Sequence, residues 1–284
     1  MENKKGIHIS EIWIFVFFCT FCTALLVFLE RSLMGEAAGT GVFLSLACFV
    51  PAFTAIVISL KKKYKITELC LFPRLRENVG RYILFFVVAL LLSLLETPVT
   101  ALIYPEKYMF ADFSLTFFIG QLMVLIASGL LSTFNFLGEE IGWLGFLLPR
   151  LEKKYGLVFG TMIMACIRGV WHLAMYSFIY DCKEAMVSTL MIFLYNLFID
   201  SLLVYSYKCT KSVIPGAMIH GLTGAVPSVY TRYMISDEVL SGNSDIGVQL
   251  VGMLPAVLIG IIFYCLLYQM TKKMKNGNLT FENM

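Results

Sequence analysis

Apolar residues in this chain come in long runs that are separated by short polar stretches. A helix needs roughly 20 consecutive, mainly apolar residues to cross about 30 Å of hydrocarbon, and eight runs approach or exceed that length. Their lengths distinguish them from the shorter runs of buried helices in soluble proteins. The pattern predicts transmembrane helices near 12–29, 40–60, 82–103, 115–138, 156–179, 186–207, 212–230 and 246–270.

The composition agrees with this pattern and indicates an integral membrane protein. Of the 284 residues, 59% are hydrophobic and 14% are charged, whereas soluble domains have roughly 45–50% apolar and about 25% charged residues. The connections between the predicted helices are mostly under 20 residues long, which leaves no room for a separate soluble domain. We therefore expect an all-α fold and a single helical membrane domain over residues 1–284.

The distribution of Lys and Arg predicts how the chain lies in the membrane, because cytoplasmic loops carry an excess of these residues. Loops assigned to one side hold 17 of the 22, the other side holds four, and Arg168 lies within a span. This asymmetry predicts an even number of spans with both termini cytoplasmic, and we expect the plasma membrane. The lipid bilayer is therefore an expected partner. The net charge of +3 is explained by basic loops near anionic lipid, and it does not suggest nucleic-acid binding.

Ionisable residues within the predicted spans are the most informative feature of the sequence. Each costs roughly 2.5–3.5 kcal/mol at the centre of a transmembrane helix on insertion scales, so it is expected to face the protein interior and to have a partner or a function there. The residues concerned are Glu96, Glu139, Glu140, Arg168, His172, Asp200 and His220, with the neutral polar residues Asn135 and Asn196 beside them.

Helix geometry predicts how these side chains are arranged. The adjacent residues Glu139 and Glu140 point about 100° apart on a helix, so two different roles are expected for them. Arg168 and His172 are four residues apart and lie on one face of the fifth span. His220 lies in the seventh span among small residues that allow another helix to come close. Two glutamates and two histidines on three spans thus predict an intramembrane polar site enclosed by the helices.

These residue types are compatible with three kinds of site. Carboxylates and imidazoles can activate water and stabilise an oxyanion during hydrolysis, relay protons through the membrane, or hold a metal ion. Taken singly, each residue also has a structural explanation, since a buried histidine can link two helices and a glutamate can pair with an arginine. The residues by themselves do not choose among these chemistries.

Three segments resemble motifs of the CAAX protease and bacteriocin-processing family, which includes the type II CAAX prenyl endopeptidases and the lysostaphin-resistance-type membrane proteins. GEEIGWLGFLLPRL resembles the EExxxR motif of that family, IRGVWHLAMY resembles its FxxxH motif, and SVIPGAMIHGLTGAV resembles its HxxxN or HxxxD motif. The resemblance covers residues 120–227, the expected family core, and the layout of eight spans agrees with it outside that segment.

This resemblance implies intramembrane proteolysis near the cytoplasmic face. By position in the motifs, Glu139 is the general base that activates water with His172, Glu140 supports the site, and His220 stabilises the oxyanion. The family has been described both with and without a metal ion, so the resemblance leaves the cofactor open. If a metal such as zinc is bound, the implied ligands are Glu139, His172 and His220.

Three family positions carry different residues in this chain. The arginine of EExxxR is Leu144, the asparagine of HxxxN is Gly224, and Arg168 also replaces the aromatic residue of FxxxH. We hypothesise that Arg168 reaches across to Glu140 and restores the charge balance. Alternatively, it binds a backbone carbonyl or extends towards the membrane surface. Donors that could replace the missing asparagine, by residue type alone, are Asn135, Asn196 and Thr223.

The sequence favours a membrane protease that cleaves a membrane-embedded or lipid-anchored peptide or protein, such as a CAAX-like protein, a bacteriocin leader or a signalling peptide. Leu144 and Gly224 favour a second hypothesis, a catalytically weakened relative that acts as a bacteriocin self-immunity protein or a membrane scaffold. A proton-coupled transporter could use the same buried groups, but the residues that flank the motifs argue against it.

Overall fold

The computed structural model describes residues 9–35, 42–72, 74–105, 115–225 and 246–276, and these ranges contain helices and no strand. The all-α prediction is therefore confirmed for this part of the chain. A 3₁₀-helix, Ile66–Leu69, and a π-helix, Ile141–Leu147, occur beside the α-helices. The α-helices are α1 Ile9–Met34, α2 Val42–Ala47, α3 Val50–Lys62, α4 Leu75–Ile103, α5 Leu115–Glu140, α6 Leu148–Tyr155, α7 Leu157–Tyr176, α8 Cys182–Thr210, α9 Ile214–Ala225, α10 Ile246–Gly252 and α11 Leu254–Lys275.

Seven helical segments within the described residues are long and apolar enough to cross a membrane, and each corresponds to one predicted span. The remaining prediction, 212–230, corresponds to α9, which has 12 described residues, and residues 226–230 lie outside the described ranges. The protein is therefore an all-α, polytopic integral membrane protein. The seven segments are Ser10–Met34, Ser45–Lys62, Arg76–Ile103, Phe118–Tyr155, Leu157–Tyr176, Cys182–Thr210 and Leu254–Met274.

The fourth span is longer than its apolar pattern predicts. The predicted span was 115–138. The helical backbone instead continues from α5 through the π-helix and α6 to Tyr155, because Glu139 and Glu140 point into the protein and do not end the helix. The π-helix begins directly after Glu140, and π-helical segments are frequent at functional sites.

Small residues allow the helices around the two glutamates to approach closely. A Cβ atom added at Gly142 would lie 2.4 Å from Cβ of Pro51, so the π-helix touches α3 there. A Cβ atom added at Gly221 would lie 2.5 Å from the carbonyl oxygen of Gly129, so the backbones of α5 and α9 are in contact. Such contacts between small residues are typical of helix packing in membranes, and here they bring His220 to the end of α5.

A buried ion pair joins the beginning of α1 to α6. Nε of Arg150 lies 3.1 Å from Oε2 of Glu11, and Arg150 also donates to the carbonyl oxygen of Phe146 at 2.8 Å. The Tyr64 hydroxyl donates to Oε1 of Glu11 at 2.8 Å. Burial and this hydrogen bond raise the pKa of Tyr64 above its ordinary value, so the phenol remains a donor at neutral pH. These contacts hold α6, and through the π-helix the end of α5, against α1.

We expect Glu11→Gln to destabilise the protein, because it leaves the nearly buried Arg150 guanidinium without its carboxylate partner. The expected loss of unfolding free energy is about 1–3 kcal/mol, measured by thermal unfolding of the purified chain in nanodiscs. Glu77→Gln, the same substitution at an exposed position of α4, is the control and should leave the midpoint unchanged. Equal midpoints for the two variants would contradict a stabilising role for this ion pair.

Candidate active site

The residues predicted for the site lie on three helices. Glu139 and Glu140 are the last two residues of α5, Arg168 and His172 lie on α7, and His220 lies on α9. Both glutamates and Arg168 are at most 2% exposed, and His172 is 7% exposed. The three motifs therefore meet inside the protein, as the sequence pattern predicts.

The guanidinium of Arg168 lies at the centre of this group. Its Nη2 atom is 3.3 Å from Oε1 of Glu140 and 3.7 Å from Oε2 of Glu139. The same Nη2 atom is 3.3 Å from Nδ1 of His220. The ion pair between Arg168 and Glu140 that we hypothesised from the sequence is therefore present. Arg168 approaches both acidic residues of the first motif from the neighbouring helix α7.

Asp200, on α8, completes the surroundings of Arg168. Nη1 of Arg168 donates to Oδ1 of Asp200, which is fully buried. From the sequence, Asp200 is an ionisable residue in a predicted span, but no motif assigns it to the site. An acidic residue in an apolar span needs a partner, so the sequence indicates that Asp200 has one. The spacing of Asp200 does not identify which helix supplies that partner.

Two groups hold the imidazole ring of His220. Nδ1 of His220 lies 2.9 Å from Oε1 of Glu140, and the ring of Phe136 stacks on the imidazole with a centroid distance of 3.8 Å and an interplanar angle of 25°. Nδ1 faces Glu140 and Arg168, while Nε2 has no hydrogen bond to the described residues. Phe136 lies one turn before Glu140 on α5, and no motif in the sequence predicted its contact with His220.

His172 has a defined tautomer in this arrangement. Its Nδ1 atom lies 2.8 Å from the carbonyl oxygen of Arg168, which can only accept, so Nδ1 carries the hydrogen and Nε2 of the neutral ring carries a lone pair. The ring packs edge-on against Trp171. Within the described residues, no direct hydrogen bond joins His172 to Glu139.

The structure shows what surrounds the positions of the family arginine and asparagine, Leu144 and Gly224. Leu144 is fully buried, and its Cδ1 atom would lie 2.5 Å from a Cβ atom added at Gly216 of α9. Leu144 therefore fills space between α9 and the π-helix at the position of the family arginine. A Cβ atom added at Gly224 would lie 3.3 Å from Cζ of Phe136 and 4.0 Å from Cδ2 of His220, so the position of the family asparagine is beside the imidazole.

The three candidate replacements for that asparagine differ in their surroundings. The Thr223 hydroxyl donates to the carbonyl oxygen of Ile219 at 2.9 Å, so its hydrogen is already used. Asn135 is exposed. Asn196 is 2% exposed, and its Nδ2 atom makes no hydrogen bond. Of the three side chains, Asn196 alone is buried with a donor to spare.

The residues near Arg168 are a poor fit for a metal ion. The group whose ligand atoms lie within 4.8 Å of one another consists of Glu139, Glu140 and His220, so it contains Glu140 where we had expected His172. A divalent ion on these three residues would lie beside the Arg168 guanidinium, which is 3.3 Å from both Glu140 and His220. Repulsion between neighbouring cations is strong in a buried site of low dielectric constant, so the guanidinium disfavours such an ion.

The motif residues all lie in a segment that matches a known family. Residues 120–226 match the family model described as type II CAAX prenyl endopeptidase Rce1-like. The matched segment contains Glu139, Glu140, Arg168, His172 and His220. A search of curated proteins gives no match for the chain. The chain is therefore similar to this family over the segment in which its buried carboxylates and imidazoles lie.

Proposed function

We propose that this protein is an intramembrane endopeptidase that hydrolyses a peptide bond with a water molecule activated by Glu139. The observation that carries the proposal is the meeting of Glu139, Glu140 and His220 inside a membrane protein, in a segment that matches a protease family. His172 is buried on the neighbouring helix α7. Buried carboxylates and imidazoles are costly in a membrane and usually have a function there. A protein that served only as a scaffold would have no need of these residues.

In the proposed mechanism, Glu139 is the general base. Its Oε2 atom makes no hydrogen bond in the described structure, so it has a lone pair that can accept a proton from water. His172 presents a lone pair at Nε2 and can hold the second hydrogen of that water. Glu139 takes a proton as the water oxygen attacks the peptide carbonyl carbon, and then delivers it to the leaving nitrogen as the C–N bond breaks.

His220 is the proposed donor to the oxyanion. That role requires a hydrogen on Nε2, and a neutral imidazole has one there only when Nδ1 acts as an acceptor. Nη2 of Arg168 lies 3.3 Å from Nδ1 of His220 and can supply that hydrogen bond. Glu140, 2.9 Å from the same nitrogen, would stabilise the imidazolium form, which also carries a hydrogen on Nε2. The contact with Glu140 favours the imidazolium form, because its Nδ1–H donates to Oε1 of Glu140 and its Nε2–H remains for the oxyanion.

The proposed substrate is a membrane-associated peptide or protein, because the reacting groups are buried among transmembrane helices. A lipid-anchored CAAX-like protein agrees with the description of the matching family, and a bacteriocin leader or a signalling peptide fits the same chemistry. We further propose a plasma-membrane location with both termini cytoplasmic, on the basis of the excess of Lys and Arg in one set of loops.

A second candidate function is that of a catalytically weakened relative that binds a partner as an immunity or scaffold protein. It is favoured by Leu144 and Gly224, which remove a cation and an amide donor from the motifs. The contacts of Arg168 favour the protease over this alternative, because they supply a cation to Glu140 without the motif arginine.

We expect Glu139→Gln, His172→Ala and His220→Ala each to lower turnover by about 10²-fold or more, since each removes a group that acts in the transition state. Cleavage of an internally quenched, farnesylated CAAX peptide by the full chain in proteoliposomes provides the measurement. Glu96→Gln, the same change at a half-buried acid of α4, should retain wild-type turnover. Turnover that survives all three substitutions in folded protein would rule out the proposed mechanism.

Gly224→Asn should raise turnover about tenfold or more, because it adds an amide donor beside His220, and one oxyanion donor is typically worth 10²–10³-fold. The tight approach of Phe136 to position 224 limits the gain. Gly224→Ala adds the Cβ atom without the donor and should leave turnover near the wild-type value. The same peptide assay compares the two variants, and an Asn variant no faster than the Ala variant would contradict the role given to this position.

Removal of metal ions should leave the protein unchanged, because the Arg168 guanidinium takes the place of a cation in the site. We expect less than one equivalent of zinc per chain by elemental analysis after purification, and the same thermal midpoint before and after treatment with 1,10-phenanthroline. The Arg168→Lys variant keeps a cation in the site, so its zinc content should also be below one equivalent and its thermal midpoint should also be unchanged by the chelator. A stoichiometric zinc ion whose removal lowers the midpoint would contradict this expectation.

A further inference from the structure

Asp200 contacts the candidate site only through Arg168. It lies on α8, its carboxylate accepts from Nη1 of Arg168, and it is fully buried. No hydrogen bond joins Asp200 to Glu139, Glu140 or His220 among the described residues. The hydrogen bond that connects Asp200 to the site therefore runs through the guanidinium of Arg168.

The two Nη atoms of the Arg168 guanidinium contact different partners. Nη1 points to Asp200, whereas Nη2 points to Glu140 and His220, each at 3.3 Å. The Nε atom of Arg168 is buried without a hydrogen bond. A guanidinium is planar and its donors are fixed relative to one another, so the contact at Nη1 determines where Nη2 lies.

Arg168 lies nearer to Glu140 than to the proposed base. Nη2 lies 3.3 Å from Glu140 but 3.7 Å from Glu139. A guanidinium commonly binds a carboxylate through two parallel hydrogen bonds. Arg168 released from Asp200 could form such a pair with Glu139 and occupy the oxygen that must take a proton from water. With Arg168 bound to Asp200, Oε2 of Glu139 makes no hydrogen bond to the guanidinium.

Arg168 needs this anchor because it lies on a different helix from the family arginine. The family motif places its arginine four residues after the second glutamate, on the same helical segment. In this chain that position is Leu144, which packs against Gly216. Arg168 approaches the glutamates from α7 and faces them across a helix interface. A partner on α8 is therefore required to fix its direction.

We propose that Asp200 is a positioning residue that holds Arg168 in place, so that the guanidinium supports Glu140 and His220 and leaves Glu139 free to act as base. The inference rests on the proposed function for its catalytic consequence, while the geometric consequence can be measured without catalysis. Asp200 and Arg168 together replace the single arginine of the EExxxR motif.

The test is a double-mutant cycle in two backgrounds, with the farnesylated CAAX peptide as probe. In the wild-type background, Asp200→Asn should lower kcat about 10–100-fold, as is typical for loss of a group that orients a site residue, with KM unchanged. The second background carries Arg168→Phe and Leu144→Arg, which restore the family pattern. There, Asp200→Asn should have no effect on kcat, since no guanidinium at position 168 needs an anchor.

Two further variants keep the test decisive. Asp200→Glu retains the charge and should lower kcat less than Asp200→Asn, and it serves in place of Asp200→Asn if that variant does not fold. Glu96→Gln replaces another acid in a span by its amide and should change neither kcat nor KM. A wild-type kcat for Asp200→Asn, or an equal loss in both backgrounds, would overturn the positioning role.

A second measurement does not depend on proteolysis. The chain has three histidines, so ¹⁵N NMR of histidine-labelled protein in nanodiscs can resolve the ring nitrogens of His220. Asp200→Asn should shift the His220 Nδ1 resonance, because Arg168 moves away from it, and Glu96→Gln should not. If the wild-type protein does not cleave the peptide, the proposed function fails, and an unchanged Nδ1 resonance in Asp200→Asn would separately overturn the inference about Asp200.

Discussion

The buried guanidinium of Arg168 is the interaction on which the site depends. Three carboxylates, those of Glu139, Glu140 and Asp200, face this one cation, and each of them is at most 2% exposed. Removing one partner of a buried ion pair leaves the other charge without compensation, at a cost of about 3–5 kcal/mol. The end of α5 can therefore carry two adjacent glutamates inside a membrane protein because α7 supplies a cation to them.

The packing of the helices makes this contact possible. Gly129 and Gly221 let the backbones of α5 and α9 touch, which brings His220 to Glu140. The π-helix that follows Glu140 continues the chain into α6, and the ion pair between Arg150 and Glu11 ties α6 to α1. The charged groups of the site are thus held by helices that are themselves fixed by small residues and by a second buried ion pair. Rigid support of this kind is what a site needs to orient water and a peptide bond.

Much of the fold follows from the sequence because the thickness of the bilayer dictates the length of each apolar run. Seven predicted spans correspond to helices, and the eighth is described as far as Ala225. The pair between Arg168 and Glu140 was also predictable, since a missing arginine in one motif coincides with a new arginine in the next. The side of the membrane on which the termini lie remains a prediction. The partners Asp200 and Phe136 were not predictable, because contacts between helices leave no periodic signal in a single sequence.

In the proposed mechanism, Glu139 takes a proton from the water that attacks the substrate. Cleavage of the farnesylated peptide in H₂¹⁸O, followed by mass spectrometry of the products, examines this step. We expect one ¹⁸O atom in the new carboxylate formed by the wild-type protein, and no cleavage above background by Glu139→Gln. Absence of cleavage by the wild-type chain, or equal ¹⁸O-labelled product from Glu139→Gln, would contradict it.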